Sequence, residues 1–160
     1  MMWVCRAGKN GSDFGDVKKY GDIFLAWEGF RLNLESFSSR DSFKELVIKE
    51  KNPSARTSIS NWAGQLYSFC QEMTRGDYVL VPYNKSHEYL LTIVEGEYRY
   101  DTSRKYPHVR KIKTVCDGIL RSQFTQSTQY SLGAFRTVFK VKQEEEILRV
   151  AQLISHGGRL

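Results

Sequence analysis

An α+β domain, with helices packed around a small curled mixed β-sheet or barrel, is the fold that this sequence predicts. Along its 160 residues, segments with strand character outnumber segments with helical character. The longest predicted helix, residues 59–73, falls between the second and third strands, which differs from the regular alternation of a doubly wound sheet. After it, the Gly76-Asp77 turn leads into a predicted hairpin over residues 78–100.

Two strands and two helices are predicted before residue 53, and three of these four elements are ended by Gly, Asn or Pro. They are a strand over residues 3–6 ended by Ala7-Gly8, a helix over 12–20 capped by Ser12 or Asp13 and ended by Gly21, a strand over 23–27, and a helix over 41–50 capped by Asp41 and ended by Asn52-Pro53. Residues 28–40 show no clear period, so they are predicted to form a loop.

The helix over residues 59–73 is predicted from a single apolar stripe. Its apolar residues recur every three or four positions, at Ile59, Trp62, Leu66, Phe69, Cys70 and Met73. The elements that follow are hairpin strands over 78–83 and 89–100 around Asn84-Lys85-Ser86, a strand over 109–115, a polar connection over 121–132 with a helical turn, a last strand over 134–141 and a helix over 143–154. Pro82 places part of the first hairpin strand at an edge or bulge.

Composition favours a globular domain with a polyanionic partner. The net charge is +6, and aromatic residues make up 13% of the chain, which is more than a core of this size needs. The three cysteines, Cys5, Cys70 and Cys116, are too widely spaced to indicate a disulfide framework or a metal site, so no cofactor and no metal are expected. No apolar segment resembles a signal peptide or a membrane span, so a cytoplasmic location is expected.

Catalytic motifs are not found in the sequence. It contains no glycine-rich phosphate loop, nucleophile elbow or HExxH helix. Glu95, Glu97 and Asp101 have no lysine at the spacing of a metal-dependent nuclease. Residues 144–146 are acidic and lie at a predicted helix start, where negative charge interacts favourably with the helix dipole. The chain is therefore expected not to be an enzyme and to have no catalytic residues.

A base-binding pocket is one interpretation of the residues around Trp27 and Trp62. Both tryptophans lie at predicted element ends, where their rings can reach a shared concavity. Asn61 and Gln65 lie four residues apart on one helix face beside Trp62, and an amide offers a donor and an acceptor to a base edge. The alternatives are that the tryptophans are core residues and that Asn61 caps the helix.

Positive charge is concentrated in the segment that follows the hairpin. The basic residues there are interleaved with Tyr98, Tyr100 and Tyr106, and they comprise Arg99, Arg104, Lys105, His108, Arg110, Lys111 and Lys113. This pattern is predicted to contact nucleic-acid phosphates, and the alternative is an ordinary solvated face.

Several blocks resemble a known family of modules. WVCRAG, IFLAW, NWAGQLYSF, RGDYVLVP and GEYRYDTSRKYPHVRKIK are similar to the N-terminal recognition modules of modification-dependent restriction endonucleases of the Mrr/McrB type. Those modules are similar to the EVE, YTH and PUA-like group of small barrels. The resemblance extends from Trp3 to Val141.

That resemblance implies a reader that flips a modified DNA base into an aromatic pocket, while a linked or associated nuclease domain cuts. By position, Trp27 and Trp62 match the pocket aromatics, Arg6-Ala7-Gly8 the pocket floor, and Asn61 a polar pocket residue. The two tryptophans are expected to sandwich the base. Related cages often use three aromatic rings, and the sequence offers only these two.

In domain terms, residues 1–141 would be the base-binding domain, and residues 142–160 a helical linker or tail toward an absent domain. Three other functions remain open. The fold could bind RNA, as many PUA-like barrels do, form part of a nuclease, or bind a protein and carry its basic face incidentally.

Overall fold

The computed structural model describes residues 1–83 and 85–157. These residues form seven strands and five α-helices, in the order β1 Met2–Cys5, α1 Phe14–Tyr20, β2 Asp22–Phe24, α2 Arg40–Lys51, α3 Arg56–Tyr67, β3 Tyr78–Pro82, β4 Glu88–Val94, β5 Arg99–Tyr100, β6 His108–Leu120, α4 Gln126–Leu132, β7 Val138–Val141 and α5 Glu144–Ser155. Asn84 of the predicted hairpin turn lies outside the described residues, as do residues 158–160 of the predicted tail.

The strands form one mixed sheet in the order β2-β6-β4-β3-β1-β7, with β5 also paired to β6. Only the β1–β3 pair is parallel among the strand pairs of the described residues. The predicted α+β class with a mixed sheet is therefore confirmed. The sheet is open and does not close into a barrel, since β2 and β7 remain as its two edges.

The second strand of the predicted hairpin is interrupted. β4 ends at Val94 opposite Ile112, and β5 resumes with Arg99 opposite Val109. Between them, the backbone N–H groups of Glu95 and Gly96 both donate to the Lys111 carbonyl, at 2.9 and 3.2 Å. Two residues facing one partner make a bulge, which bends the strand and divides the predicted segment 89–100 into two.

Helix α3 confirms the predicted apolar stripe and has a distinctive end. It begins at Arg56, earlier than predicted, and continues as a π-helical turn over Ser68–Glu72. The buried Arg110 guanidinium donates to the Phe69 carbonyl at 3.1 Å and also to the Met73 carbonyl. These donors satisfy backbone acceptors that a regular helix end leaves without partners.

Two apolar cores lie on opposite faces of the sheet. The β1 residues alternate between them: Trp3 and Cys5 pack in the core shared with α2 and α3, whereas Met2 and Val4 pack in the core shared with α4 and α5. Because both faces are covered, all four residues of β1 are buried and the strand is uniformly apolar.

Helix α5 is part of this fold. Ile147, Val150 and Ala151 are buried in the second core, so the described part of the predicted linker packs against the sheet. Within residues 1–83 and 85–157, every helix is too short or too polar to cross a lipid bilayer.

Candidate functional site

A cavity of about 1020 Å³ opens where the two edges of the sheet approach each other. Trp27 follows β2 and Thr137 precedes β7, and the Trp27 indole N–H donates to the Thr137 hydroxyl at 2.9 Å. The loop after β1, the loop between β3 and β4, and the loop between α4 and β7 form the remaining walls, together with one face of α3. The cavity thus exists because the sheet is open.

Six of the seven residues predicted for a base pocket line this cavity, namely Arg6, Gly8, Trp27, Asn61, Trp62 and Gln65. The seventh, Ala7, is buried beneath it with 2% of its surface exposed. The structure therefore brings together residues from the segment after β1, the segment after β2 and helix α3.

The two tryptophans contact each other instead of flanking a gap. Their ring centroids are 4.7 Å apart with the planes tilted by 50°. A base inserted between two rings needs about 7 Å, twice the contact distance of carbon atoms. In this arrangement a base can stack only against the side of the pair that faces the cavity.

A third ring, Phe30, completes the aromatic cluster. It lies 6.2 Å from Trp27 and 5.8 Å from Trp62, and only 1% of its surface is exposed. Its backbone φ of 50° is in the left-handed region, a conformation that is uncommon for a bulky residue. The irregular pattern of residues 28–40 did not reveal this ring.

The Phe30 carbonyl is anchored by His108. The His108 Nε2 lies 2.6 Å from that carbonyl, and its Nδ1 lies 2.6 Å from the Tyr98 hydroxyl, which also accepts from the Leu34 N–H at 3.0 Å. These contacts fit a neutral imidazole with its proton on Nε2. Burial lowers the pKa of His108, which favours the same neutral form.

Gln65 holds two structural elements together. Its carbonyl oxygen accepts from the backbone N–H groups of Thr137 and Val138 at 2.8 and 3.0 Å, which ties α3 to the start of β7. Its amide N–H donates to the Asn61 carbonyl oxygen at 3.3 Å. The Gln65 acceptor is thereby engaged, and of the two amides Asn61 is the exposed one.

Asn61 is not a helix cap, because α3 begins five residues earlier and Ala55 occupies the N-cap position. Similarly, the cap of α2 is Ser39, whose hydroxyl accepts from the Ser42 N–H at 3.1 Å, and not the predicted Asp41. The backbone leaves the helical conformation at Ser39, so its side chain is the one that can turn back to the first turn.

Arg6 forms one wall of the cavity by binding backbone. Its guanidinium donates to the carbonyls of Leu132, Ala134 and Arg136 at 2.9 to 3.0 Å. Burial lowers the pKa of Arg6, and the side chain remains cationic at neutral pH because an arginine titrates so far above it. It therefore fixes the α4–β7 loop and adds positive charge to the cavity.

Further cations come from loops that are distant in sequence. Besides Arg6, the described lining residues include Lys9, Lys85, Arg121 and Arg136, against one carboxylate, Glu88. The buried Nε of Arg121 has no hydrogen-bond partner among the described residues. An unpaired buried donor is costly, and this one belongs to a side chain that lines the cavity.

This set of cations was missed by the sequence analysis because its members do not form a run. The local sequence around each one is that of an ordinary polar loop. Phe135 at the same cavity was missed as well. It is fully exposed, at 102%, and such a large exposed ring beside a cavity is a functional signal visible only in three dimensions.

Three of the predicted phosphate-binding residues have structural roles instead. Arg110 is 1% exposed and donates to the Gly96 carbonyl in addition to those of Phe69 and Met73. Arg104 pairs with Asp22 at 2.6 Å, with side-chain exposures of 10% and 5%. His108 is buried as described above. None of these three directs a donor toward solvent.

The other four, Arg99, Lys105, Lys111 and Lys113, are exposed. They do not line the cavity. Lys111 and Lys113 also lie in the first half of β6, whereas Arg121, which lines the cavity, follows the other end of that strand.

Reactive groups are few in the described residues. Burial raises the pKa of Cys5 and of Cys70 to about 12, so both thiols are protonated at neutral pH. No group of three or more His, Cys, Asp or Glu residues is placed to hold a metal ion within the described part of the chain.

Comparisons with known proteins give a family without an assigned function. No curated protein matches the sequence significantly. Among solved structures, the chain is similar to the crystal structure of protein Atu2648 from Agrobacterium tumefaciens, at 15% identity over 95% of this chain and 91% of that chain, with a TM-score of 0.44. It is also similar to the NMR structure of Rpa0253 from Rhodopseudomonas palustris, at 15% identity over 99% and 97% of the two chains, with a TM-score of 0.40. A family described as a domain of unknown function, DUF8426, matches residues 3–140, and the chain belongs to that family.

Proposed function

We propose that this domain is a nucleic-acid-binding module that recognises a modified base in DNA, with the base held in the cavity between the sheet edges. One observation carries the proposal: a single cavity combines the Trp27–Trp62 pair with five Lys or Arg side chains and one carboxylate among its described lining residues. Aromatic faces bind bases of any sequence by stacking, and the cations bind phosphates.

The arrangement assigns different parts of a nucleotide to different walls. The base stacks on the cavity side of the tryptophan pair or on the exposed ring of Phe135. The exposed amide of Asn61 contacts its edge. Lys9 and Lys85 lie on loops that line the cavity, where they bind the phosphates, and Arg121 adds a further cation to the lining.

Energetics are compatible with extraction of a base from a duplex. Flipping costs a few kcal/mol, and stacking on an aromatic side chain recovers about 1–3 kcal/mol per base. Hydrogen bonds to the base edge and phosphate contacts supply the remainder. The specificity for a modified base and the link to a restriction system with its nuclease domain belong to the proposal through the resemblance of the sequence blocks described above. The cytoplasmic location belongs to it because no apolar segment of the sequence resembles a signal peptide or a membrane span.

The test is a binding panel read by fluorescence anisotropy at two salt concentrations. Its probes are single- and double-stranded DNA and RNA that carry cytosine, 5-methylcytosine, 5-hydroxymethylcytosine, adenine or N6-methyladenine at one central position. We expect one modified DNA to bind more tightly than its unmodified counterpart. Equal affinity for modified and unmodified DNA would overturn the recognition of a modified base. A preference for RNA would show that the cavity recognises RNA and not DNA.

Two variants and a matched control localise the site. Phe135→Ala should weaken binding by about 5- to 150-fold, the loss expected for one stacked base. Tyr130→Ala removes another ring, which is 87% exposed and does not line the cavity, and should leave the affinity unchanged. Trp62→Ala should remove the preference for the modified base while weak, salt-sensitive binding persists, with thermal melting used to verify that it is folded. Equal effects of Phe135→Ala and Tyr130→Ala contradict the proposed site.

A further inference from the structure

A second cavity, of about 920 Å³, adjoins the first. It lies between α3 and β7, and its lining includes Thr57 and Ser60 of α3 and Phe139 of β7. The two cavities share four lining residues, Asn61, Gln65, Ala134 and Arg136. The two cavities therefore adjoin at these residues, and we call the surface that they span together the groove.

The second cavity is also cationic. Its described lining residues include five cations and one carboxylate, Glu72, the cations being Arg40, Arg56, Arg136, Lys140 and Lys142. Arg40 and Lys140 pair with Glu72 at 3.3 and 3.5 Å. The side chains of Arg56, Arg136 and Lys142 are exposed, and the ion pairs and hydrogen bonds found in the described chain do not include them.

The size of the groove favours a polymer over one small molecule. Pockets for small molecules measure about 300–1,000 Å³, a range that the first cavity alone reaches at about 1020 Å³. The adjoining cavity nearly doubles that space. Thr57, Ser60 and Ser131 add hydroxyl groups to its walls, and hydroxyls are common donors to phosphate oxygens.

We propose that the strand whose base occupies the first cavity continues across Arg136 into the second, where Arg56 and Lys142 bind its phosphates. This inference rests on the proposed function and extends it, because it adds a site for the sugar-phosphate backbone and a path for the strand from the first cavity to the second. It also places the positive charge that matters on α3 and on the segment after β7, and not on β6.

The experiment measures affinity against strand length and salt. Its probes are fluorescein-labelled single-stranded DNAs of mixed sequence and RNAs of the same lengths, which span the range of about 4–16 nucleotides that single-domain strand binders occupy. For the unaltered protein, affinity should rise with length until both cavities are filled. The shortest strands should occupy the first cavity alone.

A double variant, Arg56→Gln with Lys142→Gln, should remove two phosphate contacts. Each contact with a single strand contributes about 0.7 to the slope of log affinity against log salt, so the slope on the longest strand should fall by about 1.4. Between 50 and 200 mM salt, the loss of affinity should then be about sevenfold smaller than for the unaltered protein. Affinity for the shortest strand should not change.

The matched control is Lys111→Gln with Lys113→Gln. It removes the same charge from two exposed lysines that line neither cavity, and it should leave the slope unchanged. Melting temperatures of both double variants should match that of the unaltered protein, since the four side chains are exposed.

The outcomes distinguish a failure of the proposed strand path from a failure of the proposed function. If Phe135→Ala weakens binding but the two double variants have equal slopes, the base cavity stands and the strand path is overturned. A lower slope for Arg56→Gln with Lys142→Gln on the shortest strand as well would place that strand in the second cavity alone, which also overturns the path. No binding of any strand overturns the strand path, whereas the proposed function is overturned only if the modified DNAs of the binding panel are not bound either.

Discussion

At the scale of single residues, neighbouring cations on β6 have opposite roles. Successive side chains of a strand point to opposite faces, so Arg110 points into the protein while Lys111 points out. Arg110 reaches the carbonyls of Gly96, Phe69 and Met73, which belong to the bulge and to the end of the α3 helix. The basic run on β6 therefore combines a buried residue that stabilises the fold, Arg110, with an exposed residue that faces solvent, Lys111.

Replacing Arg110 by Met should lower the free energy of unfolding by about 3 kcal/mol or more, because it leaves buried carbonyl groups without donors. Lys111→Met should change it by no more than about 0.5 kcal/mol, since Lys111 is exposed. Urea denaturation of the two variants measures both values. Similar free energies of unfolding for Arg110→Met and the unaltered protein would show that the hydrogen bonds of Arg110 do not stabilise the fold.

At the scale of elements, α3 builds the cavity because one of its faces meets both sheet edges. Trp62 contacts Trp27 at the end of β2, and Gln65 binds the backbone at the start of β7. The position of the helix thereby sets how far apart the two edges remain. This coupling is the physical reason why the cavity and the open sheet occur together.

Changing Gln65 to Leu should cost about 2 kcal/mol of folding stability, because two backbone N–H groups of β7 lose their acceptor. It should also increase hydrogen exchange at Thr137 and Val138, which a mass-spectrometric exchange experiment reports. Ser60→Ala, an exposed change on the same helix, is the control and should have little effect on either quantity. Equal hydrogen exchange in both variants would argue against the role of Gln65 in holding the start of β7.

At the scale of the whole molecule, a buried imidazole joins the aromatic cluster to the sheet. His108 on β6 binds the Phe30 carbonyl and the Tyr98 hydroxyl, so the loop that carries Phe30 depends on a neutral histidine. Burial lowers the pKa of His108. The unfolded chain therefore takes up this proton at a higher pH than the folded one does.

Folding stability should consequently be fully present above a pH of about 6.5, the ordinary pKa of histidine, and should fall as the pH drops below it. The slope attributable to this group can reach about 1.4 kcal/mol per pH unit until the folded-state pKa is reached. Denaturation curves at several pH values measure it. His108→Gln should lose this slope, and the exposed His87→Gln should retain it. A slope that persists in His108→Gln would assign the effect to another group.

Much of the fold could be predicted, because the signals are local. The stripe of α3, the hairpin and the apolar strand β1 all depend on residues close in sequence, and the structure confirms a mixed sheet with helices around it. The candidate site was predictable in part. Trp27 and Trp62 line one cavity, as predicted, although Trp62 lies in the middle of α3 and not at its start. Their mutual contact and the third ring Phe30 were not predicted.

The amino-acid pattern alone determined the α+β class, the central helix and the positive charge of this protein, because periodicity and composition act over a few residues at a time. Only the tertiary structure decided that the sheet stays open, that Arg110 turns inward, and that Lys9, Lys85, Arg121 and Arg136 gather around one cavity. Those outcomes depend on contacts between residues that are far apart in the chain. The direction of a long side chain is set by the partners that burial offers it, and a linear sequence does not display those partners.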